Sequence, residues 1–502
     1  MEFLVVQIAC ILILGAYLGL FCVDRANWML AIFIYSASTT LTGSYLLADT
    51  FTGEGVTESV IFHLFYGLEG VKLSEFTSYI LAAALFSLML AFSINLFWRM
   101  NRRHKGQQKR QYRLAEFVAL GAVGAFAVAL HPTTLQSAQI ISDMLVKPGT
   151  PLNEELAKFE IKQTNKLRKK SLVYIYAESF ERIFLEEKIF PGLAPNLTIL
   201  ERGSLHIRGI RQAPLTDWTI AGMVASQCGV PLATFRIDRN EFSGVNGFMP
   251  GATCLGDVLN QAGYHSVFMG GADLNFAGKG RFYKEHGFQE VIGKDDLEAV
   301  SHQVLPLSKW GVYDDALLEN AFDKFKVLAD AEQPFALFLL TLDTHPPIGH
   351  VTPSCEGQVY SNGESGLLNA VHCSDRLLSE FIKKIERHGA DDLVLVVASD
   401  HLQMRNDINN YMVAHSAQRE NLFFVRGKGI DPRLIERPAT TLDIFPTLLH
   451  LLGWDVEGVA LGRNMLSSSK TLTEKYGTEQ FYSSLQKWRM DLWKMWSPPS
   501  TD

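Results

Sequence analysis

Glu178 follows a short apolar run, residues 171–177, and the pair Asp400-His401 closes another, residues 393–398. Two carboxylates and one imidazole form a donor set suited to Mn²⁺, Zn²⁺ or Mg²⁺, with a coordination position left over. A divalent cation lowers the pKa of a hydroxyl bound to it, so the open position calls for a nucleophile. Residues 214–223 read as a turn entering a helix and offer Thr216 and Thr219. At a helix N-terminus the dipole also favours the negative charge of a phospho-adduct. Spacing alone does not choose between the two threonines. His345, ahead of Pro346 and Pro347, reads equally as a turn residue, a ligand of a phosphate oxygen or a proton donor to a leaving alkoxide. Singly, each acid or histidine has a plainer reading as a cap of a loop or helix. Their coincidence at the ends of apolar runs favours a site.

Those runs imply the elements that must hold the site. Residues 171–177, 266–269, 335–342 and 393–398 are short, apolar and rich in β-formers, and segments of helical periodicity such as 367–388 separate them. Alternation of this kind predicts an α/β domain with a central, mostly parallel sheet covered by helices on both faces. In such sheets ligands bind beyond the carboxyl ends of the strands. The residues just past each run are then Glu178, Gly270-Gly271, Thr344-His345 and Ser399-Asp400-His401.

The chain of 502 residues is too long for one core, and its apolar residues crowd the first 131 positions. Residues 3–23, 26–48 and 76–98 carry no charge and are each long enough to cross hydrocarbon. A shorter stretch rich in Ala and Gly, 114–131, is expected to be a fourth span. The predicted organisation is a four-helix membrane domain over 1–131, an amphipathic connector over 132–168, a catalytic domain over 169–466 and a tail over 467–502. Trp488, Trp493 and Trp496 in the tail are expected to pack on the catalytic domain.

Seven Lys and Arg residues fall between Arg99 and Arg113, whereas 49–75 holds five acids and only Lys72. Basic loops stay cytoplasmic, so with four spans the globular part lies outside the membrane. A net charge of −7, with the basic cluster set between apolar stretches, argues against nucleic acid as a partner. Of six cysteines, Cys10 and Cys22 lie in the first apolar stretch. Cys228, Cys254, Cys355 and Cys373 lie in the globular part and would suffice for two disulfides in an exported domain. Nearest-neighbour pairing joins Cys228 to Cys254 and Cys355 to Cys373, but sequence allows three connectivities, and buried free thiols remain a reading.

The runs Tyr176-Ala-Glu-Ser-Phe180, 216–232, 268–283, Thr344-His-Pro346 and Ser399-Asp-His401 resemble the phosphoglycerol transferases that decorate periplasmic glucans. More distantly they resemble lipoteichoic acid synthases; both groups belong to the sulfatase-like branch of the alkaline phosphatase superfamily. The resemblance covers most of residues 170–466 and implies a multi-pass protein of a bacterial inner membrane with a periplasmic catalytic domain. It implies Thr219 as nucleophile, Glu178, Asp400 and His401 as metal ligands beside it, usually around Mn²⁺, and His345 at the substrate phosphate. The tryptophan and arginine that hold glycerophosphate in the synthases fall near Ala277 and Lys279, a departure from that pattern. Lys279 still offers a point charge, with Arg281 and Asn275 as further substrate-binding candidates. The implied reaction moves the glycerophosphate head group of phosphatidylglycerol to a glycan outside the cytoplasm and releases diacylglycerol.

A sulfatase proper needs Cys or Ser in a Cys-x-Pro-x-Arg arrangement, and none is present. A phosphoethanolamine transferase, or a hydrolase of the same fold, would share the threonine and metal chemistry. A catalytically inactive membrane sensor would instead lack a ligand, and all four metal-site residues are present.

Overall fold

The computed structural model describes residues 2–20, 25–53, 55–60, 77–104, 114–146, 149–157, 169–234, 247–301, 304–389 and 392–497. Cys22, the basic residues 105–113 and connector residues 158–168 lie outside the described residues. The chain divides into two compact units, Met1–Ile61 with Val71–Asp143 and Phe62–Gly70 with Met144–Asp502.

The first unit is helical: Glu2–Leu20, Arg25–Thr52, Thr77–His104, Leu114–Ala129 and all but the last two residues of Pro132–Leu145. Among the described residues two stretches are long and apolar enough to cross a membrane, Ala26–Thr50 and Ile80–Arg102; Val6–Leu18 is a shorter apolar helix. The stretch expected as a fourth span is the first limb of a pair, Leu114–Ala129 and Pro132–Asp143, bent by 61°. Pro132 explains the break, because it lacks an N–H and its ring collides with a continuing helix. His131 starts the second limb: its Nδ1 accepts the Thr133 N–H at 3.1 Å, while Nε2 lies 3.2 Å from Thr42 Oγ1. The predicted connector therefore begins as a continuous helix. Close packing uses a small residue here, since a Cβ on Gly124 would meet Ile34 Cδ1 at 2.4 Å.

The second unit holds an eight-stranded sheet in the order β4-β3-β5-β1-β6-β7-β2-β8. These are β1 (Ser171–Ala177), β2 (Leu205–Arg211), β3 (His265–Gly270), β4 (Glu290–Ile292), β5 (Phe335–Leu340), β6 (Leu393–Ser399), β7 (Phe423–Gly427) and β8 (Arg433–Thr440). Only β7 runs against its neighbours, β6 and β2; the remaining pairs are parallel. The expected mostly parallel α/β sheet is thus the fold.

Burial follows from period-two geometry. Leu172, Tyr174 and Tyr176 of β1 join one apolar cluster, and Val173, Ile175 and Ala177 join the other. A strand covered on both faces reads as continuous apolar sequence, which is why β1, β5 and β6 were visible as runs. Helices Thr219–Cys228 and Ile444–Leu451 pack into the first cluster, Asp314–Ala329 and Gly366–His388 into the second. The last of these starts at Ser365, whose Oγ accepts the Leu368 N–H at 3.1 Å, and stops at Gly389 with φ 74°.

The tail lies on this unit. Trp488 and Trp496 are buried, and their indole N–H groups donate to Thr150 O and Ala233 O, each at 2.7 Å. Cys228 is bonded to Cys254 and Cys355 to Cys373. Cys10, half-buried in the first helix, is a free thiol.

Candidate active site

Strand β1 ends at Ala177 and delivers Glu178; its neighbour β6 ends at Ser399 and delivers Asp400 and His401. Because the two strands pair in parallel register, Ala177 beside Ser399, the three side chains arrive at one sheet edge. They are 1%, 0% and 1% exposed. One ligand atom from each lies within 4.8 Å of the others. His401 Nε2 stands 3.4 Å from both Glu178 Oε1 and Asp400 Oδ2.

Local backbone supports this convergence. Ser179 adopts a positive φ of 50°, a conformation a residue with a side chain takes only when its surroundings insist. Its N–H then donates to Asp400 Oδ1 at 2.8 Å and its Oγ to Glu178 Oε1 at 2.9 Å. His401 donates Nδ1–H to Leu402 O at 2.7 Å, which turns the lone pair of Nε2 toward the carboxylates.

Thr219 is the first residue of helix Thr219–Cys228, after Trp218 in extended conformation. Its Oγ1 lies 3.5 Å from Glu178 Oε2 and 3.4 Å from His401 Nε2. Thr216 is fully buried and donates to Ala213 O at 2.7 Å, so the structure separates the two threonines. The helix comes this close because of Gly222, where a Cβ would sit 2.0 Å from Asp400 O. At the far end Gly229, φ 67°, terminates it, and Cys228 ties it to Cys254.

A divalent cation fits this donor set. Asp400 Oδ2 is buried and makes no hydrogen bond among the described residues, a costly state for a carboxylate oxygen. Electrostatics agree. Burial and the charge of Glu178 push the Asp400 carboxyl well above its ordinary range. Burial would raise Glu178 too, but the bond with His401 and the charges of His345 and His401 hold it below. Burial opposes protonation of His401, and Asp400 and Glu178 overcome it and raise that imidazole. Protons thus compensate a cluster of negative oxygens that a cation would compensate in their place. A second trio, Cys254, Asp257 and His286, is also compact, but the Cys254 sulfur is committed to its disulfide.

Facing the ligands is a wall of loops. His345 lies in the turn after β5, half-buried, with Nδ1–H donating to Pro346 O at 2.7 Å, which leaves Nε2 available. Burial lowers its pKa against the pull of Glu178, while His401 and Lys279 lower it further. Lys279, 5% exposed, is pushed down to about 8 by burial, with Glu178, Asp273 and Asp400 opposing. It is therefore a buried cation acting on the same centre.

Asn275 and Arg281 are not brought in with it. Both are exposed, and Arg281 Nε pairs with Glu285 Oε1 at 2.7 Å along their helix. Sequence reasoning passed over Trp310, whose ring packs against that of His345 at a 39° tilt with centroids 4.2 Å apart. Phe276 lies 6.1 Å from Trp310 and carries Lys279 Nζ 5.0 Å above its face. An unbroken aromatic wall thus joins Lys279 to His345. The signal available in sequence was slight: a Trp-Gly step just ahead of Asp314-Asp315 and a helical pattern.

Residues 170–454 match the family model described as Sulfatase, and residues 3–148 match that of the phosphoglycerol transferase I N-terminal domain. The chain is 38% identical over 450 residues to a phosphoglycerol transferase I of Xanthomonas axonopodis pv. citri (strain 306), covering 88% of this chain and 62% of the relative. It thus spans about three fifths of the length of the curated relatives it matches. In fold it is similar to an alkaline phosphatase superfamily protein from Vibrio parahaemolyticus, at TM-score 0.52 and 24% identity, covering 67% of this chain and 79% of that one. The lipoteichoic acid synthase LtaP from Listeria monocytogenes has TM-score 0.50 and 20% identity, covering 64% and 82%. The chain belongs to the sulfatase family, with an amino-terminal region similar to that of phosphoglycerol transferase I.

Proposed function

We propose that this protein is a metal-dependent phosphoglycerol transferase of a bacterial inner membrane. It moves the glycerophosphate head group of phosphatidylglycerol to a glycan outside the cytoplasm. The observation that carries the reading is Thr219 Oγ1 at a helix N-terminus, 3.4 Å from His401 and 3.5 Å from Glu178. Relatives of 38% identity are named phosphoglycerol transferase I, which supports the choice of head group. The two disulfides suit an oxidising compartment, and the apolar helices suit a lipid substrate.

Glu178, Asp400 and His401 would hold the cation, most suitably Mn²⁺, with Zn²⁺ or Mg²⁺ as alternatives. When bound, it would favour ionised Thr219 and offset charge on the phosphate. Thr219 Oγ1 passes its proton through solvent to the open Nε2 of neutral His345 and attacks phosphorus. The bond from phosphorus to the diacylglycerol oxygen breaks, and that oxygen takes a proton from His345 Nε2. An acceptor hydroxyl then returns a proton to His345 Nε2 and attacks the phospho-threonine. The bond to Oγ1 breaks, Oγ1 takes that proton back through solvent, and the head group leaves on the acceptor. Lys279 balances the negative charge spread over the phosphate oxygens in both displacements. The first turn of helix Thr219–Cys228 adds its N-terminal dipole.

Purified protein with Mn²⁺ is offered phosphatidylglycerol and phosphatidylethanolamine, each labelled in the head group. The expected result is diacylglycerol from the first lipid, with label trapped on Thr219 when acceptor is withheld. Thr219→Ala should abolish both. Full head-group release by that variant would overturn the covalent mechanism, and release from phosphatidylethanolamine alone would reassign the donor.

A further inference from the structure

Two buried carboxyls, Asp314 and Asp343, take no part in the two displacements, yet they adjoin the turn that carries His345. Each is 1% exposed. Asp314 opens helix Asp314–Ala329, and its two oxygens reach back to the end of β5. Oδ1 accepts the Leu342 N–H at 2.7 Å, and Oδ2 accepts the Asp343 N–H at 3.1 Å. In return Asp343 Oδ2 accepts the Asp314 N–H at 3.1 Å. Three hydrogen bonds therefore cross between the helix start and the strand-end turn.

The turn itself is closed by the His345 N–H on Leu342 O at 3.0 Å and the His350 N–H on Asp343 O at 2.6 Å. Its other side is braced from the metal-ligand wall. Thr344 Oγ1 donates to Glu178 O, and Gln403 Nε2 donates to Thr344 O at 2.8 Å. Leu342 to His345 are thus clasped between Asp314 on one side and the loops after β1 and β6 on the other.

Burying two carboxyls together is unfavourable, and burial and Asp314 raise Asp343 well above its ordinary range. Capping a helix needs only one acceptor at its start. Here both oxygens of Asp314 are spent on the turn, while Asp343 Oδ1 makes no hydrogen bond among the described residues.

We infer that Asp314 is a positioning residue for His345: its two-oxygen clasp on the Leu342 and Asp343 N–H groups fixes the turn from which His345 serves the phosphate at Thr219. The inference rests on the proposed role of His345 as proton carrier. Its two acids are not equivalent. Asp314→Asn sets an amide NH₂ against a backbone N–H and forfeits one acceptor, whereas Asp343→Asn keeps an acceptor for Asp314 and changes the oxygen that has no partner.

The test uses the full chain in detergent with Mn²⁺ and phosphatidylglycerol. Asp314→Asn should lower kcat by about ten- to a hundredfold, the scale of a small misplacement of a reacting group, with KM and manganese content nearly unchanged. Asp343→Asn should stay within about threefold of the parent. Asp314→Asn combined with His345→Ala should be no slower than His345→Ala alone, whereas combined with Lys279→Ala the effects should multiply. Multiplication with His345→Ala, or an unchanged kcat, would overturn the inference. A crystal structure of Asp314→Asn gives an independent reading: a displaced His345 beside an unmoved Glu178 supports the clasp, and an unmoved His345 refutes it. Should that variant not fold, Asp314→Glu, with both acceptors on a longer arm, enters the same measurements with the same two outcomes. Thr219→Ala separates the levels, because its full activity would remove the proposed function itself, while its inactivity leaves that function standing whatever the clasp does.

Discussion

Glu178, Asp400 and His401 leave the paired strands β1 and β6 and are almost fully buried, whereas Lys279 opens a short helix after a loop and Trp310 and His345 stand on loops, the latter two only half-buried. The first wall is set by sheet register and trimmed by bonds such as that of the Ser179 N–H to Asp400 Oδ1. The second wall is fixed by ring packing and by bonds to backbone, such as Trp310 against His345 and Asp314 on the turn. Strands give this site its cluster of carboxylates and imidazole; the loops add a cation and aromatic rings.

The strand-end wall differs from the loop wall most sharply if it binds metal. Asp400→Asn removes a charge and an oxygen that lacks a hydrogen-bond partner, so the chain should fold as before. Bound manganese, counted by elemental analysis, should fall below stoichiometric, and head-group transfer should drop by at least about a thousandfold. A variant retaining both metal and rate would remove Asp400 from the ligand set.

Lys279 tests the loop wall. Lys279→Ala should cost about a hundredfold in kcat/KM, the scale of one lost donor to a developing oxyanion. Since burial pushes this amine down to about 8, its charge is present below that pH and lost above it. Activity should therefore fall as pH rises through about 8, and Lys279→Arg should carry that limb to higher pH, because guanidinium stays charged. For stability the sign is opposite. Between about 8 and the ordinary lysine value the unfolded chain holds more protons at this group, so its contribution to stability rises with pH. A thermal melt that does not weaken across the range where rate is lost would separate the two.

The same division decided how much of the site was legible in the sequence. The ends of β1 and β6 were legible because strands buried on both faces are unbroken apolar runs, and the residues just past such a run in a parallel sheet lie at the ligand edge. Composition marked the apolar amino-terminal region, but the 61° turn at Pro132, between the last expected span and the helix that opens the expected connector, is an angle no hydropathy count contains. Choosing Thr219 over Thr216 needed the family resemblance, since both lie in the same turn; in three dimensions one hydroxyl faces His401 and the other is used up on Ala213. Trp310 and Asp314 were not legible. Their partners are 35 and 28 positions away in sequence, and neither ring packing nor a clasp on backbone N–H leaves a periodic trace.

Trp310 predicts a smaller effect than Lys279, because a tilted ring contact orients a group without supplying charge. Trp310→Ala should cost about two- to tenfold in kcat/KM, the range of an aromatic pair, and Trp310→Phe should recover most of it. An alanine variant as slow as His345→Ala would show instead that the indole acts on substrate directly.

Arg281 marks where the loop wall ends. It was as good a candidate as Lys279 by sequence, two positions along and with the better fork for a phosphate. In the structure it is exposed and its Nε engages Glu285 one helical turn away, an arrangement usually worth only about 0.3 to 0.5 kcal/mol. Arg281→Ala should then change kcat/KM by less than about twofold and leave the alkaline limb where it was. A loss approaching that of Lys279→Ala would mean that the helix Lys279–Glu285 turns toward the lipid when substrate binds, and that the ligand assembles the loop wall instead of finding it already built.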